Sequence, residues 1–100
     1  MATLSQIVRS TLEGYAGEAA NGHIYMTISP DDSTYTLTAV GTTQGQRYVN
    51  TGILVRIEHE HIIIERDQTD KPVVDALVQA GIPRQQIVLA YAGERLPEMA

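Results

Sequence analysis

Asp67-Gln68-Thr69-Asp70-Lys71-Pro72-Val73-Val74-Asp75-Ala76-Leu77-Val78-Gln79-Ala80-Gly81-Ile82-Pro83-Arg84-Gln85-Gln86-Ile87-Val88-Leu89-Ala90-Tyr91 is the stretch whose reading decides the fold. It holds a helix with a marked start and stop, then a turn into a buried strand. Thr69 or Asp70 can accept hydrogen bonds from the first free backbone N–H groups of that helix, and Pro72 fits its first turn because the missing N–H had no partner there. Val73, Val74, Leu77 and Val78 share one face at three- and four-residue spacing, while Lys71, Asp75 and Gln79 share the other. Gly81 stands where helices commonly end in a left-handed residue. Pro83 pushes Ile82 out of the helical region and prevents the helix from resuming. Ile87 to Tyr91 is too short and too continuously apolar for a surface helix, so it predicts a strand buried on both faces or nearly so.

The elements before this stretch have to cover that strand. Thr3 and Gln6 have the spacing of a capping box, which predicts a helix from about Leu4, with Leu4, Ile7, Val8, Leu12 and Tyr15 as its apolar stripe. Gly14, Gly17 and the Asn21-Gly22 pair end it. Ile24, Met26 and Ile28 alternate with Tyr25 and Thr27 as in a half-buried strand, and Ser29-Pro30-Asp31-Asp32-Ser33 is a turn cluster. A second strand runs from Tyr35 to Val40, and Gly45 is the positive-φ residue of the turn that follows. The third and longest strand spans Arg47 to Ile57. Strict alternation puts Val49, Thr51, Ile53, Val55 and Ile57 on one face and Tyr48, Asn50, Gly52, Leu54 and Arg56 on the other. Gly52 marks a bulge or the close approach of another element. Ile62, Ile63 and Ile64 make a fourth strand. The expected fold is α+β: an antiparallel meander of about four strands plus a C-terminal strand, with two helices packed on one face, in a single domain of residues 1–100. The tail from Ala92 to Ala100 has no clear period and is expected to fray.

Composition narrows the function classes. The absence of cysteine removes disulfides, thiolate metal sites and a cysteine nucleophile. No N-terminal signal and no apolar run of about 18 residues is present, so a cytoplasmic protein without a membrane span is expected. Seven basic residues against twelve acidic ones give a formal charge of −5. Clustered Lys and Arg drive phosphate binding, so tight DNA binding by this chain alone is disfavoured.

His59 and His61, flanked by Glu58, Glu60 and Glu65, form the one cluster in the sequence with metal-ligand spacing. Polar residues of a hairpin connection are the plainer account of them, and no metal or cofactor is assigned. Ser5, Ser10, Ser29 and Ser33 lie in no nucleophile elbow, and no glycine-rich phosphate loop precedes a helix. Arg47 and Arg84 sit at element boundaries, where each can clamp a carboxylate in a partner or in its own chain. Tyr15, Tyr25, Tyr35, Tyr48 and Tyr91 are the only aromatic residues, to be divided between core and interface.

The joined pattern of Val40-Gly41, Arg47, Asp67-Gln68-Thr69-Asp70 and Gly81-Ile82-Pro83-Arg84-Gln85-Gln86-Ile87-Val88-Leu89 resembles the XisI family, the fdxN element excision controlling factors common in cyanobacteria. The resemblance runs from about Tyr35 to Tyr91, more loosely over the first helix. Where the family has Trp-Asp-Gly this chain has Thr42-Thr43-Gln44, and a family histidine and aspartate appear as Leu54 and Arg56. The family's Asp-Gly hairpin turn is replaced by His59-Glu60, which favours a wider loop. The family's His-Pro-Pro after Tyr91 is not reproduced. The resemblance implies a XisI-like domain that is not an enzyme. It would act as an accessory factor in site-specific excision of a DNA element, through a XisH-like, nuclease-fold partner protein, touching DNA only indirectly. Arg47, Asp67, Thr69, Arg84, Gln85 and Gln86 are the candidate partner-binding residues, and a homo-oligomer is compatible with this reading. Two other classes compete with it: a metal-binding or acid/base enzyme using His59 and His61, and a direct DNA-binding directionality factor, which would need a basic face.

Overall fold

Thr3 opens the first helix, α1 (Leu4–Glu13), as its spacing predicts: Thr3 Oγ1 accepts the Gln6 N–H at 3.2 Å and Gln6 Oε1 accepts the Thr3 N–H at 2.9 Å. This computed structural model describes residues 2–96. After α1 come β1 (Gly17–Ala19), β2 (Gly22–Ile28), β3 (Thr34–Thr43), β4 (Gln46–Glu58) and β5 (His61–Asp67), then α2 (Val73–Gln79) and β6 (Ile87–Leu89). The six strands lie side by side in sequence order. β1 to β5 pair antiparallel, whereas α2 carries the chain across so that β6 joins β5 in parallel. The expected meander and C-terminal strand are present. The short edge strand β1 is additional, and the C-terminal strand stops at Leu89 because Ala90–Ala92 coil into a 3₁₀ turn.

Both helices cover one face of the sheet. Val8 and Leu12 of α1 and Val73 and Leu77 of α2 pack with Tyr35, Leu37, Ile53, Val55, Ile62, Ile64 and Ile87, all almost fully buried. Burial of each such side chain contributes about 1.5–3 kcal/mol, which is where most of the stability of two short helices comes from. Tyr35 ties this core to the surface, its hydroxyl donating to the Asp32 carbonyl at 2.7 Å.

Strict alternation along β4 fails at Gly52. Leu37 pairs with Ile53 but its neighbour Thr38 pairs with Thr51, so Gly52 is an extra residue and the strand rolls over by one position. Tyr48 and Asn50 therefore share the helix face with Ile53, Val55 and Ile57, while Val49 and Thr51 join Leu54 and Arg56 on the open face. The bulge takes up the close approach of the segment after β5: the Gln68 N–H donates to the Gly52 carbonyl at 2.9 Å, and Asn50 Nδ2 donates to Gln68 Oε1 at 2.9 Å.

Two further expectations are corrected. The wider loop at His59-Glu60 is in fact a two-residue turn between the paired Glu58 and His61, with both central residues at positive φ, 50° and 63°. The β4–β5 ladder fixes the register, and the His61 ring Nδ1–H reaches the His59 carbonyl at 2.9 Å. The start of α2 is held neither by Thr69 nor by Asp70. Asp67 Oδ2 accepts the Val73 N–H at 2.7 Å, and Pro72 sits at the cap position instead of inside the first turn. The other end follows the sequence. Gly81, at φ 106°, donates to Val78 and Ile82 donates to Leu77, the paired bonds of a Schellman stop, with Leu77 and Ile82 together in the core.

The expected fraying of the tail does not begin at Ala92. Glu94 Oε1 accepts the Leu89 N–H at 2.9 Å and its Oε2 meets Arg84 Nη2 at 2.7 Å. Pro97 to Ala100 lie outside the described residues.

Candidate functional site

Tyr15, at the end of α1, stands between two depressions on the helix side. Its hydroxyl donates to the Lys71 carbonyl at 2.8 Å, which fastens α1 to the loop that leads into α2. On one side is a cleft of about 440 Å³ bordered by Asp70, Lys71, Asp75 and Gln79. On the other is a pocket of about 110 Å³ floored by Ile24, Leu37, Ala39 and Ile53, with Asn50 and Thr69 at its rim. The first carries two carboxylates and the Lys71 ammonium at its edge, whereas the second is apolar and the size of one aliphatic side chain. Burial pushes the Tyr15 hydroxyl above the usual phenol pKa, and the nearby charges of Asp67 and then Asp75 push it further. The hydroxyl therefore stays protonated, a hydrogen-bond donor beside negative potential.

Charge is divided unevenly over the molecule. The register places Arg47, Arg56 and Arg66 on the open face together with Glu18, Glu58 and Glu65, so its formal charges cancel. Arg56 is already neutralised there, by Glu58 at 2.7 Å and Glu65 at 2.8 Å. The surplus acid among the described residues lies away from this face. Asp67, Asp70 and Asp75 cluster around the start of α2.

The structure places the sequence candidates in three separate regions. Asp67 and Thr69 are occupied with each other: the Thr69 N–H and hydroxyl lie 2.9 and 2.6 Å from Asp67 Oδ1, and the same hydroxyl is 2.7 Å from the Lys71 carbonyl. Their direct work is to shape the loop beside the Tyr15 cleft. Arg84, Gln85 and Gln86 form one 3₁₀ turn before β6. Within it, Arg84 Nη1 donates to the Ile87 carbonyl at 2.8 Å, Gln86 Nε2 donates to the Glu60 carbonyl at 2.7 Å, and Gln85 is exposed. Arg84 and Glu94 thus occupy outward backbone groups of β6, shielding an edge that would otherwise be free to pair. Arg47 lies elsewhere, near the tip of the β3–β4 hairpin, 3.4 Å from the Thr42 hydroxyl.

His59 and His61 occupy the β4–β5 turn. No three His, Cys, Asp or Glu among the described residues come together as a metal site. Sequence reasoning missed Glu94, whose role depends on a chain reversal after Leu89, and named Tyr48 without placing its ring over Gly41. It also missed the pocket, whose rim includes Asn50, turned onto the helix face by the Gly52 bulge. The isolated Gly52 was the one signal for it.

No helix among the described residues is long and apolar enough to cross a membrane. The sequence model of the XisI family, described as XisI protein, matches residues 1–99. No curated protein matches the chain. Solved structures do, among them two from Anabaena variabilis ATCC 29413. One is a XisI-like protein, 24% identical, aligned over 85% of this chain and 81% of its own, with a TM-score of 0.74. The other is the fdxN element excision controlling factor XisI, with the same identity and coverage and a TM-score of 0.58. Both share the fold of this chain.

Proposed function

The chain belongs to the XisI family, and from that membership we propose that it is a controlling factor in the site-specific excision of a DNA element, acting by holding a XisH-like partner protein and meeting DNA only through it. The family is one of controlling factors, so no catalytic step is assigned to the chain. One observation carries the reading of a protein partner: the exposed carboxylates Asp70 and Asp75 border a cleft beside an apolar pocket, with Tyr15 between them. Such a surface suits a protein segment that offers an aliphatic side chain to the pocket and a basic one to the acids. A protein that handles DNA carries basic segments of this kind, and an acidic factor can position it or hold it in check. The phosphate backbone, in contrast, would be repelled from the same surface.

Co-expression with the XisH-like protein encoded nearest to this chain, followed by size-exclusion chromatography with light scattering, tests the proposal. A stable mixed complex is expected. It should weaken on raising salt and be lost on replacing Asp70 and Asp75 by Lys, both being surface residues whose exchange leaves the core intact. Two proteins that elute separately at low salt would overturn it.

A further inference from the structure

We propose that two copies of this chain pair face to face through the open side of the sheet. Neither helix lies on that side, since the packing residues of α1 and α2 all meet the opposite face. Across β2, β3 and β4 the open face presents an uncharged patch of Tyr25, Thr27, Thr36, Thr38, Val40 and Val49, flanked along β4 by Arg47, Arg56 and Glu58. Val49 and Tyr25 are 70% and 55% exposed, the two largest exposures among the big apolar side chains described. Uncovered apolar and aromatic groups at that level on a regular sheet are poorly explained by a lone domain.

The centre of that face can be dried at little cost. Thr38 and Thr51 already satisfy one another, with their hydroxyl oxygens 2.9 Å apart across β3 and β4. Arg56 is engaged by two carboxylates. Desolvating this patch therefore strands neither the two threonine hydroxyls nor Arg56, while the exposed Glu18, Arg47 and Arg66 of the same face keep their water at its rim.

Charge selects a second copy as the occupant. Two chains of −5 repel wherever their acidic surfaces meet. The open face is where formal charges cancel, so stacking through it points the acidic starts of α2 away from each other. A strongly basic partner would gain nothing on this face and is drawn to the Asp70–Asp75 cleft instead. The area is adequate: five strands about 4.8 Å apart and about seven residues long at about 3.3 Å each offer roughly 550 Å² per copy. The total falls just below the roughly 1,200 Å² at which stable interfaces begin, which implies a reversible dimer. The pairing is isologous, with the two sheets about 10 Å apart.

This arrangement is independent of the XisH-like partner, and its test is separate. Sedimentation equilibrium of the full chain should give a mass of twice 10.9 kDa at high concentration, dissociating on dilution. Val49→Asp and Tyr25→Glu, made separately at exposed positions and checked for folding by circular dichroism, should each raise the dissociation constant on the order of a hundredfold, because the new charge meets its own copy in a dry interface. Asp75→Lys, on the helix side, should leave the dimer intact while weakening the mixed complex. A monomer at every concentration would overturn the proposal, and so would a dimer unaffected by both open-face substitutions. If either variant fails to fold, concentration-dependent protection of β2–β4 amides in hydrogen exchange decides in its place, with no change in protection counting against it.

Discussion

The carboxylate of Asp67 accepts the backbone N–H of Val73, six residues further on, at 2.7 Å, while its other oxygen accepts the N–H of Thr69 at 2.9 Å. One half-buried side chain at the end of β5 thereby does what a residue next to the helix usually does. It satisfies an orphan N–H at the start of α2 and places negative charge at the positive end of that helix. Asp67→Ala should cost about 1–3 kcal/mol, as expected when a cap is lost and buried N–H groups are left without partners. Urea denaturation should show a lower midpoint with an unchanged slope. Thr69→Ala should cost less, since Asp67 keeps its bond to Val73.

Gly41 and Gly52 lie on the same two paired strands and should answer oppositely to a methyl group. A Cβ on Gly41 would come within 2.4 Å of the Asn21 carbonyl and 2.6 Å of the Tyr48 hydroxyl, whereas one on Gly52 meets nothing closer than 3.7 Å. Gly52 also has no positive φ. Gly41→Ala should destabilise by about 1–3 kcal/mol through overpacking against backbone, and Gly52→Ala should be within about 0.5 kcal/mol of the parent. Thermal melts of the two variants side by side check this. The contrast also gives a physical reason for the glycine of the Val40-Gly41 motif: Tyr48, directly across the ladder, lies over it.

His59 and Glu60 hold φ values of 50° and 63° in a turn whose geometry suits Asn-Gly. Replacing them by Asn and Gly should stabilise the protein by about 0.5–2 kcal/mol, because non-glycine residues pay about 1 kcal/mol each to enter that region. A higher urea midpoint is expected. A lower one would mean that the His59 and Glu60 side chains contribute more than the relieved strain, since the residue-59 carbonyl that His61 reaches belongs to the backbone and is kept.

Glu94 titrates below the ordinary carboxylate range because it accepts the Leu89 N–H and, second, pairs with Arg84. Asp31 does so because the Ser33 and then the Ser29 hydroxyls donate to it. A folded pKa below the unfolded one means that the stability from these groups is present above the unfolded value, near pH 4 to 4.5. That stability is lost as pH falls through the folded value. Glu94→Gln should therefore differ from the parent by a constant amount at neutral pH, and the difference should shrink below about pH 4. Urea midpoints from pH 7 to pH 3 measure it, and a difference that instead grows on acidification would refute the sign.

The sequence by itself determined the local grammar of this protein. The Thr3–Gln6 box, the Gly81-Ile82-Pro83 stop, the positive φ of Gly45 and the alternation in β2 and β3 each depend on residues within a few positions of one another, and such interactions survive into the fold. The family was legible for the same reason, since its motifs are mostly these backbone signals. Tertiary structure decided what depends on encounters between distant segments. Asp67 caps α2 from the end of a strand held by its pairing with β4, and the Gly52 bulge goes with the Gln68 N–H that its carbonyl accepts. That single extra residue turned Asn50 toward the pocket and Val49 toward solvent. The pocket, the acidic cleft and the neutral open face all follow from it or from the packing of α1 against α2, and no periodicity in one strand records those contacts.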